Sequence, residues 1–126
     1  MPFVDFRTQP IGGRPNPWPI AGFTVRGMPG VEIRNTSPTG ANGVTAYKEL
    51  LIELPEPAAN LLVDIIVGNH IVVEVLDVAG LVVGSSSFLA GTGPAVAVFS
   101  VPGSRIQRIR MVDSGTEDRL TLVFSS

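Results

Sequence analysis

Seven short β-type runs crowd the second half of the chain, with turn signals between them and almost no room for a helix. They cover residues 50–54, 61–67, 71–78, 81–83, 95–101, 106–112 and 119–124. Short strands at such close spacing read as an all-β protein, an antiparallel two-sheet β-sandwich of about 8–10 strands. At 126 residues the chain is large enough for a two-layer core without staples. Residues 1–126 are read as a single β-sandwich domain.

Several classes are excluded by what the chain lacks. It has no cysteine, which removes disulfides and thiolate metal sites. The opening Met1-Pro2-Phe3-Val4-Asp5 has neither the basic nor the apolar stretch of a signal peptide. The sequence is compatible with a bacterial or phage protein, cytoplasmic or exported as part of a larger particle. No apolar run reaches the roughly 18 residues that span a bilayer, so no membrane insertion is expected. A formal net charge of −2 argues against a general affinity for nucleic acid.

Charge is also sparse. Charged residues make up 16% of the chain, against about 25% in ordinary soluble domains. A small sandwich shows one face of each sheet to water, and here too few charges exist to cover both. The run Leu61-Leu62-Val63-Asp64-Ile65-Ile66-Val67 is apolar on both of its faces. Part of the surface is therefore expected to be covered by another subunit or an assembly partner, a homo-oligomer being the simplest case.

Along the chain, residues 3–7 hint at a first short strand. Residues 8–20 form a loop with Pro10, Pro15, Pro17 and Pro19. That many prolines cannot donate ladder hydrogen bonds, so the segment is expected to run extended over the surface or along a sheet edge. Phe23-Thr24-Val25-Arg26 and Val31-Glu32-Ile33-Arg34 alternate cleanly about Met28-Pro29-Gly30 and read as a hairpin. Residues 35–46 are a second long loop, rich in Ser, Thr, Gly and Asn. Long loops in compact folds often carry function. Next, Leu50, Ile52 and Leu54 share one strand face and Glu49 and Glu53 the other, with Pro55-Glu56-Pro57 ending the strand. Gly68-Asn69-His70 and Asp77-Val78-Ala79-Gly80 are tight connections. Ile106 and Ile109 have opposite parity, which a β-bulge near Gln107-Arg108 would reconcile. In the last strand Leu120, Leu122 and Phe124 alternate with Arg119, Thr121, Val123 and Ser125.

The run Val73-Glu74-Val75-Leu76-Asp77-Val78-Ala79-Gly80-Leu81-Val82-Val83-Gly84-Ser85-Ser86 resembles a hairpin of bacterial jelly-roll domains. Those are the galactose-binding-like sandwiches and related carbohydrate-binding modules. Ile106-Gln107-Arg108-Ile109-Arg110 and Leu120-Thr121-Leu122-Val123-Phe124 are similar to the last two strands of that fold, and Asp5-Phe6 and Gly22-Phe23-Thr24-Val25 to its entry strands. The resemblance implies a sandwich of jelly-roll type that binds carbohydrate. Such modules often hold a structural calcium ion, but no matching carboxylate can be assigned in this chain.

Candidate chemistry is thin. The single histidine, His70, could serve a serine nucleophile among Ser85–Ser87 or at Ser100, yet no G-x-S-x-G elbow exists and a turn histidine is the simpler account. Glu49 and Glu53 project roughly 13 Å apart along one strand face, too far for a glycosidase pair, which needs about 5 to 9 Å. No catalytic constellation is recognisable, so an enzyme is not expected. No cofactor is implied; Asp113, Glu117 and Asp118, clustered on one turn, are weak calcium candidates through their oxygens. Arg105, Arg108 and Arg110 are either contacts for an acidic ligand or interface, or cross-strand partners of Glu49, Glu53, Asp64 or Glu74. Arg119 is expected to join them from the next strand.

Trp18 and Tyr47, the single Trp and single Tyr, belong to or border the two long loops. A pyranose face stacks on such a ring, so Trp18 and Tyr47, with Asn16, Asn35 and Asn42, form the candidate glycan site. Trp18, held between two prolines, equally fits a plug at one end of the sandwich. Two functions remain: a non-catalytic lectin-like module that binds a glycan or other surface ligand, working within an oligomer, or a structural subunit of a virion, fibre or secretion-type particle.

Overall fold

Strands form where the sequence alternates, because period-2 apolar residues bury one face of a pleated strand. The computed structural model describes residues 2–35, 41–112 and 118–126. Among these, thirteen strands make two sheets and the only helical element is a 3-10 turn, Phe6–Thr8. In chain order they are β1 (Phe3–Asp5), β2 (Gly12–Arg14), β3 (Trp18–Ile20), β4 (Phe23–Met28), β5 (Val31–Arg34), β6 (Gly43–Thr45), β7 (Glu49–Ala58), β8 (Asn60–Val67), β9 (Ile71–Leu76), β10 (Val82–Phe88), β11 (Gly93–Ser100), β12 (Ile106–Val112) and β13 (Arg119–Ser125).

The first sheet runs β11-β8-β13-β6-β5-β2 with β1 also on β13, and the second runs β10-β9-β12-β7-β4-β3. Every pairing is antiparallel. From β7 onward the chain passes back and forth between the sheets, so consecutive strands seldom pair. The architecture is the two-sheet antiparallel β-sandwich expected from the sequence.

The core lies between the sheets. Leu61, Val63 and Ile65 of β8 face Ile52, Val73, Val75, Ile109 and Met111 of the second sheet within one buried cluster. Burying each such aliphatic side chain contributes about 1.5–3 kcal/mol. Leu50, Ile52 and Leu54 all point inward, as their parity requires.

Four local expectations are corrected. The segments at β4 and β5 are not a hairpin, because β4 joins the second sheet and β5 the first; the Met28-Pro29-Gly30 turn carries the chain between layers. The prolines Pro55 and Pro57 do not end β7, which runs on to Ala58. They sit where the register jumps from Arg108↔Glu53 to Ile106↔Ala58, so their missing N–H groups interrupt no regular ladder. That same jump is the irregularity expected near Gln107-Arg108. In β13 the register shifts between Leu120 and Leu122, which turns Leu120 and Val123 inward and leaves Leu122 and Phe124 on the opposite face. Finally, the sheets hold more strands than expected: β2, β3 and β6 lie in segments read as loops. β2 and β3 are nevertheless edge strands, where a proline-rich segment was expected to run.

The β9–β10 hairpin turn is closed by Asp77, whose Oδ1 accepts from the N–H groups of Leu81 and Ala79, both at 2.9 Å, while Arg105 approaches Oδ2 at 3.5 Å. The Leu81 amide, then Ala79 and Arg105, hold its carboxyl below the usual 3.8 against the opposing effect of desolvation. A depressed folded value means the contribution is present above pH of about 3.8 and fades as pH falls through the folded value. Asp77→Asn is therefore expected to flatten the loss of Tm between pH 5 and 2, read by circular dichroism melts at each pH; parallel curves for the two proteins would refute it.

Candidate functional site

Two crossings between the sheets lie side by side and shape a cleft. One is Met28-Pro29-Gly30, between β4 and β5, and includes the cis Met28–Pro29 bond. The other is Ala46-Tyr47-Lys48, between β6 and β7. The Lys48 N–H donates to the Met28 carbonyl at 2.8 Å, tying them together. Gly27 lets them approach: a methyl there would overlap the Gly30 carbonyl oxygen and come within 2.8 Å of the Ala46 Cβ. The resulting cleft of about 400 Å³ is lined by Gly13, Pro29, Gly30, Val31, Glu32, Ala46 and Tyr47.

Its chemistry is an open ring beside a carboxylate and bare backbone. Tyr47 is 61% exposed. Glu32 stays half-open, with Arg34 at 3.4 Å from its Oε1. At Gly13 and Gly30 the space a side chain would fill is empty, which leaves the wall of the cleft open, while the Gly13 carbonyl already accepts from Arg14 Nη1 at 2.9 Å. The volume lies within the range of small-ligand sites, about 300–1,000 Å³.

The other expected ligand residues have structural duties. Trp18 is buried, 9% exposed, with Phe6 at 6.0 Å between ring centroids and the Arg14 guanidinium 5.3 Å over its ring. Phe6 and Arg14 thus both lie against its ring. Asn16 spends its amide on β4: Nδ2 donates to the Gly27 carbonyl at 2.7 Å and Oδ1 accepts from the Gly27 N–H at 3.2 Å. Asn35 Nδ2 donates to Asn42 Oδ1, and Asn42 Nδ2 donates to the Gln9 carbonyl. Residues 36–40, between the two in sequence, lie outside the described residues. Tyr47 alone of the five faces the cleft.

The arginines lie on the second sheet in cross-strand pairs. Arg110 meets Glu74 at 2.9 Å and Arg108 meets Glu53 at 3.4 Å, directly opposite in register. Arg105 reaches Asp77 from a loop. Asp64 is on the other sheet, so it is not among their partners. Arg119 is fully buried in the first sheet with its Nε donating to the Ala41 carbonyl at 2.8 Å, so it does not join the group. Two shallow depressions on this face share Arg26 and Leu51, and Arg108 lines one of them.

Two solved structures share this architecture. Both are variants of the family 29 carbohydrate-binding module CBM29-2. One aligns at a TM-score of 0.55 with 13% identity over 92% of this chain and 90% of that one; the other aligns at 0.54 with 14% identity over 92% and 89%. No protein-family model matches the chain, and no curated protein does. Its structural neighbours are thus carbohydrate-binding modules, and the likeness is one of fold.

Two of the remaining chemical candidates, Asp118 and His70, meet at the β8–β9 turn. Asp113 and Glu117 lie outside the described residues. Asp118 is fully buried, and its Oδ1 accepts from the N–H groups of Gly68 and Asn69 at 2.8 and 3.0 Å. Those bonds fix the β8–β9 crossing. Exposed His70 follows directly in that turn. Among the described residues no three His, Cys, Asp or Glu side chains converge to hold a metal. Sequence reasoning missed Glu32, Pro29 and Gly13 as neighbours of Tyr47. They arrive through the β2–β5 pairing, Gly13↔Glu32, which leaves no signal in local sequence.

Proposed function

We propose that the protein is a non-catalytic carbohydrate-binding module that takes a sugar in the Tyr47 cleft and works within a homo-oligomer. The observation that carries the reading is the cleft itself, where an exposed aromatic ring stands beside a carboxylate and two glycines that leave its wall open. A pyranose presents a C–H face that packs on a ring and equatorial hydroxyls that need acceptors and donors. Tyr47 supplies the ring, Glu32 accepts from hydroxyls, and the backbone at Gly30 completes the polar contacts. Asn16, Asn35 and Asn42 hold the surrounding chain. The fold shared with CBM29-2, a protein described through ligand recognition by family 29 carbohydrate-binding modules, and the sequence resemblance of residues 73–86 to a hairpin of galactose-binding-like and related carbohydrate-binding domains support the same class.

The oligomeric part rests on the first sheet. Its outer face exposes Phe3, Val96 and Val98, at 52%, 52% and 71%, with Phe3 stacked on Phe124 at 5.4 Å. Contiguous apolar surface of this kind marks contact sites.

A glycan array followed by titration calorimetry tests the sugar reading. Tyr47→Ala should weaken binding of the best glycan by about tenfold or more, equivalent to about 1.4 kcal/mol, while Tm moves by a few degrees at most because the ring is exposed. No glycan bound, or full binding by the variant, would defeat the proposal. Binding of acidic glycans lost on Arg108→Ala but kept in Tyr47→Ala would relocate the site to the second sheet.

A further inference from the structure

Among the described residues the strand order of each sheet ends in two lateral edges, and three of these four are blunted; β1, beside β13 and off that order, is only three residues long. β2 is three residues long, and the Arg14 side chain donates to the carbonyls of Gly12 and Gly13, consuming acceptors that a neighbouring strand would need. β3 is also three residues and contains Pro19, which has no N–H to offer. β10 has a register break between Val82 and Gly84. Short strands, proline and bulges are the devices by which proteins protect sheet edges.

β11 has none of these along most of its length. It runs for eight residues and pairs with β8 residue for residue, from Gly93↔Val67 to Ser100↔Asn60, without a shift. Pro94 stands near its start and no charged residue lies anywhere in it. Its other flank pairs with no strand of the described residues. An open ladder of N–H and C=O groups on an unblunted edge is a template for another extended backbone, the one partner that matches both sets of groups in register.

We infer that the occupant is β11 of a second copy, paired antiparallel about a twofold axis so that the first sheet continues from one copy into the other. Self-pairing is isologous, and the strand suits it. With the axis at Ala97, Val96 of each copy lies opposite Val98 of the other on the outer face, twice over. On the inner face Ala95 lies opposite Phe99, a small residue against a large one. β-branched cross-strand pairs are favourable in antiparallel sheets, and with no charges in the strand no like charges are brought together. The added surface is continuous with Leu62, Phe124 and Phe3 on the outer face. This inference rests on the oligomeric reading above and is independent of the glycan cleft.

The test uses the whole chain. Sedimentation velocity over a hundredfold dilution should show a dimer that dissociates, and Val98→Lys should raise the dissociation constant by about two orders of magnitude, since the twofold repeats each change twice. Val98 is 71% exposed, so the variant should keep its fold, checked by circular dichroism. Amide hydrogen exchange supplies the second readout: every β11 amide should be protected in the dimer, and alternate ones should be released by dilution or by Val98→Lys. A monomer at all concentrations would overturn this inference together with the oligomeric reading. A dimer whose alternate β11 amides exchange freely, or which Val98→Lys leaves intact, would overturn the edge pairing alone and place the contact on another surface.

Discussion

Trp18→Ala is expected to lower stability by about 3–5 kcal/mol, a fall in Tm on the order of 10–15 °C for a chain of this size, while leaving the glycan affinity of the folded protein within about threefold. The ring fills space between Phe6 and Arg14 on the edge strand β3, paired to Val25. Its removal leaves a void beside Phe6, itself fully buried, and the surrounding backbone is held by the Asn16 amide bonds to Gly27, so it collapses only partly. The Arg14 guanidinium also loses its π partner, worth about 0.5–1 kcal/mol where partly exposed. Denaturant unfolding and calorimetry on the same sample separate the two effects. Unchanged stability with abolished sugar binding would return Trp18 to the role of binding platform.

Gly27→Ala should be nearly as damaging, and for an opposite reason. A methyl there overlaps the Gly30 carbonyl oxygen and presses on Ala46. The obstacle is backbone on one side and a buried side chain on the other, neither of which can swing away. Overpacking of this kind costs typically about 1–3 kcal/mol, and the upper end is expected because the clash is with main chain. Gly30 and Ala46 also line the cleft, so glycan affinity should fall with stability, by about tenfold. Gly13→Ala on β2, where an added methyl meets nothing within 4 Å, is the control and should leave Tm within a few degrees. A Gly27→Ala protein as stable as wild type would show that the two crossings are not packed as described.

The long strands were legible because alternation over six or more residues has one physical solution, a strand with one face in the core. Leu50, Ile52 and Leu54 illustrate it. Three-residue strands carry no such signal: Gly12-Gly13-Arg14 and Gly43-Val44-Thr45 become strands only because longer neighbours offer them a ladder. The turn at Pro29-Gly30 is equally suited to a hairpin and to a passage between sheets, and which occurs is decided by packing around Gly27. The slip in β13 was hidden because Leu120-Thr121-Leu122-Val123-Phe124 is apolar enough to tolerate either phase. In the site, Tyr47 could be picked out as the ring bordering a polar loop. Its partners could not, since Glu32 and Gly13 meet it through pairing across the chain. The pairings of Arg108 with Glu53 and Arg110 with Glu74 were among those foreseen, whereas the Asn16, Asn35 and Asn42 amides turned out to serve backbone and each other.

The pairing of β1 with β13 brings the described ends of the chain together, Phe3 against Phe124 and the Ser125 N–H on the Pro2 carbonyl at 3.0 Å. Mechanically that is the geometry of a zipper, with both pull tabs at the same end. Tension between those ends loads one rung at a time, first at Pro2 and Phe3, then at Val4 and Asp5. A peeling strand yields at far lower force than one sheared lengthwise, so under traction β1 would lift away while the Tyr47 cleft, built from later strands, keeps its shape.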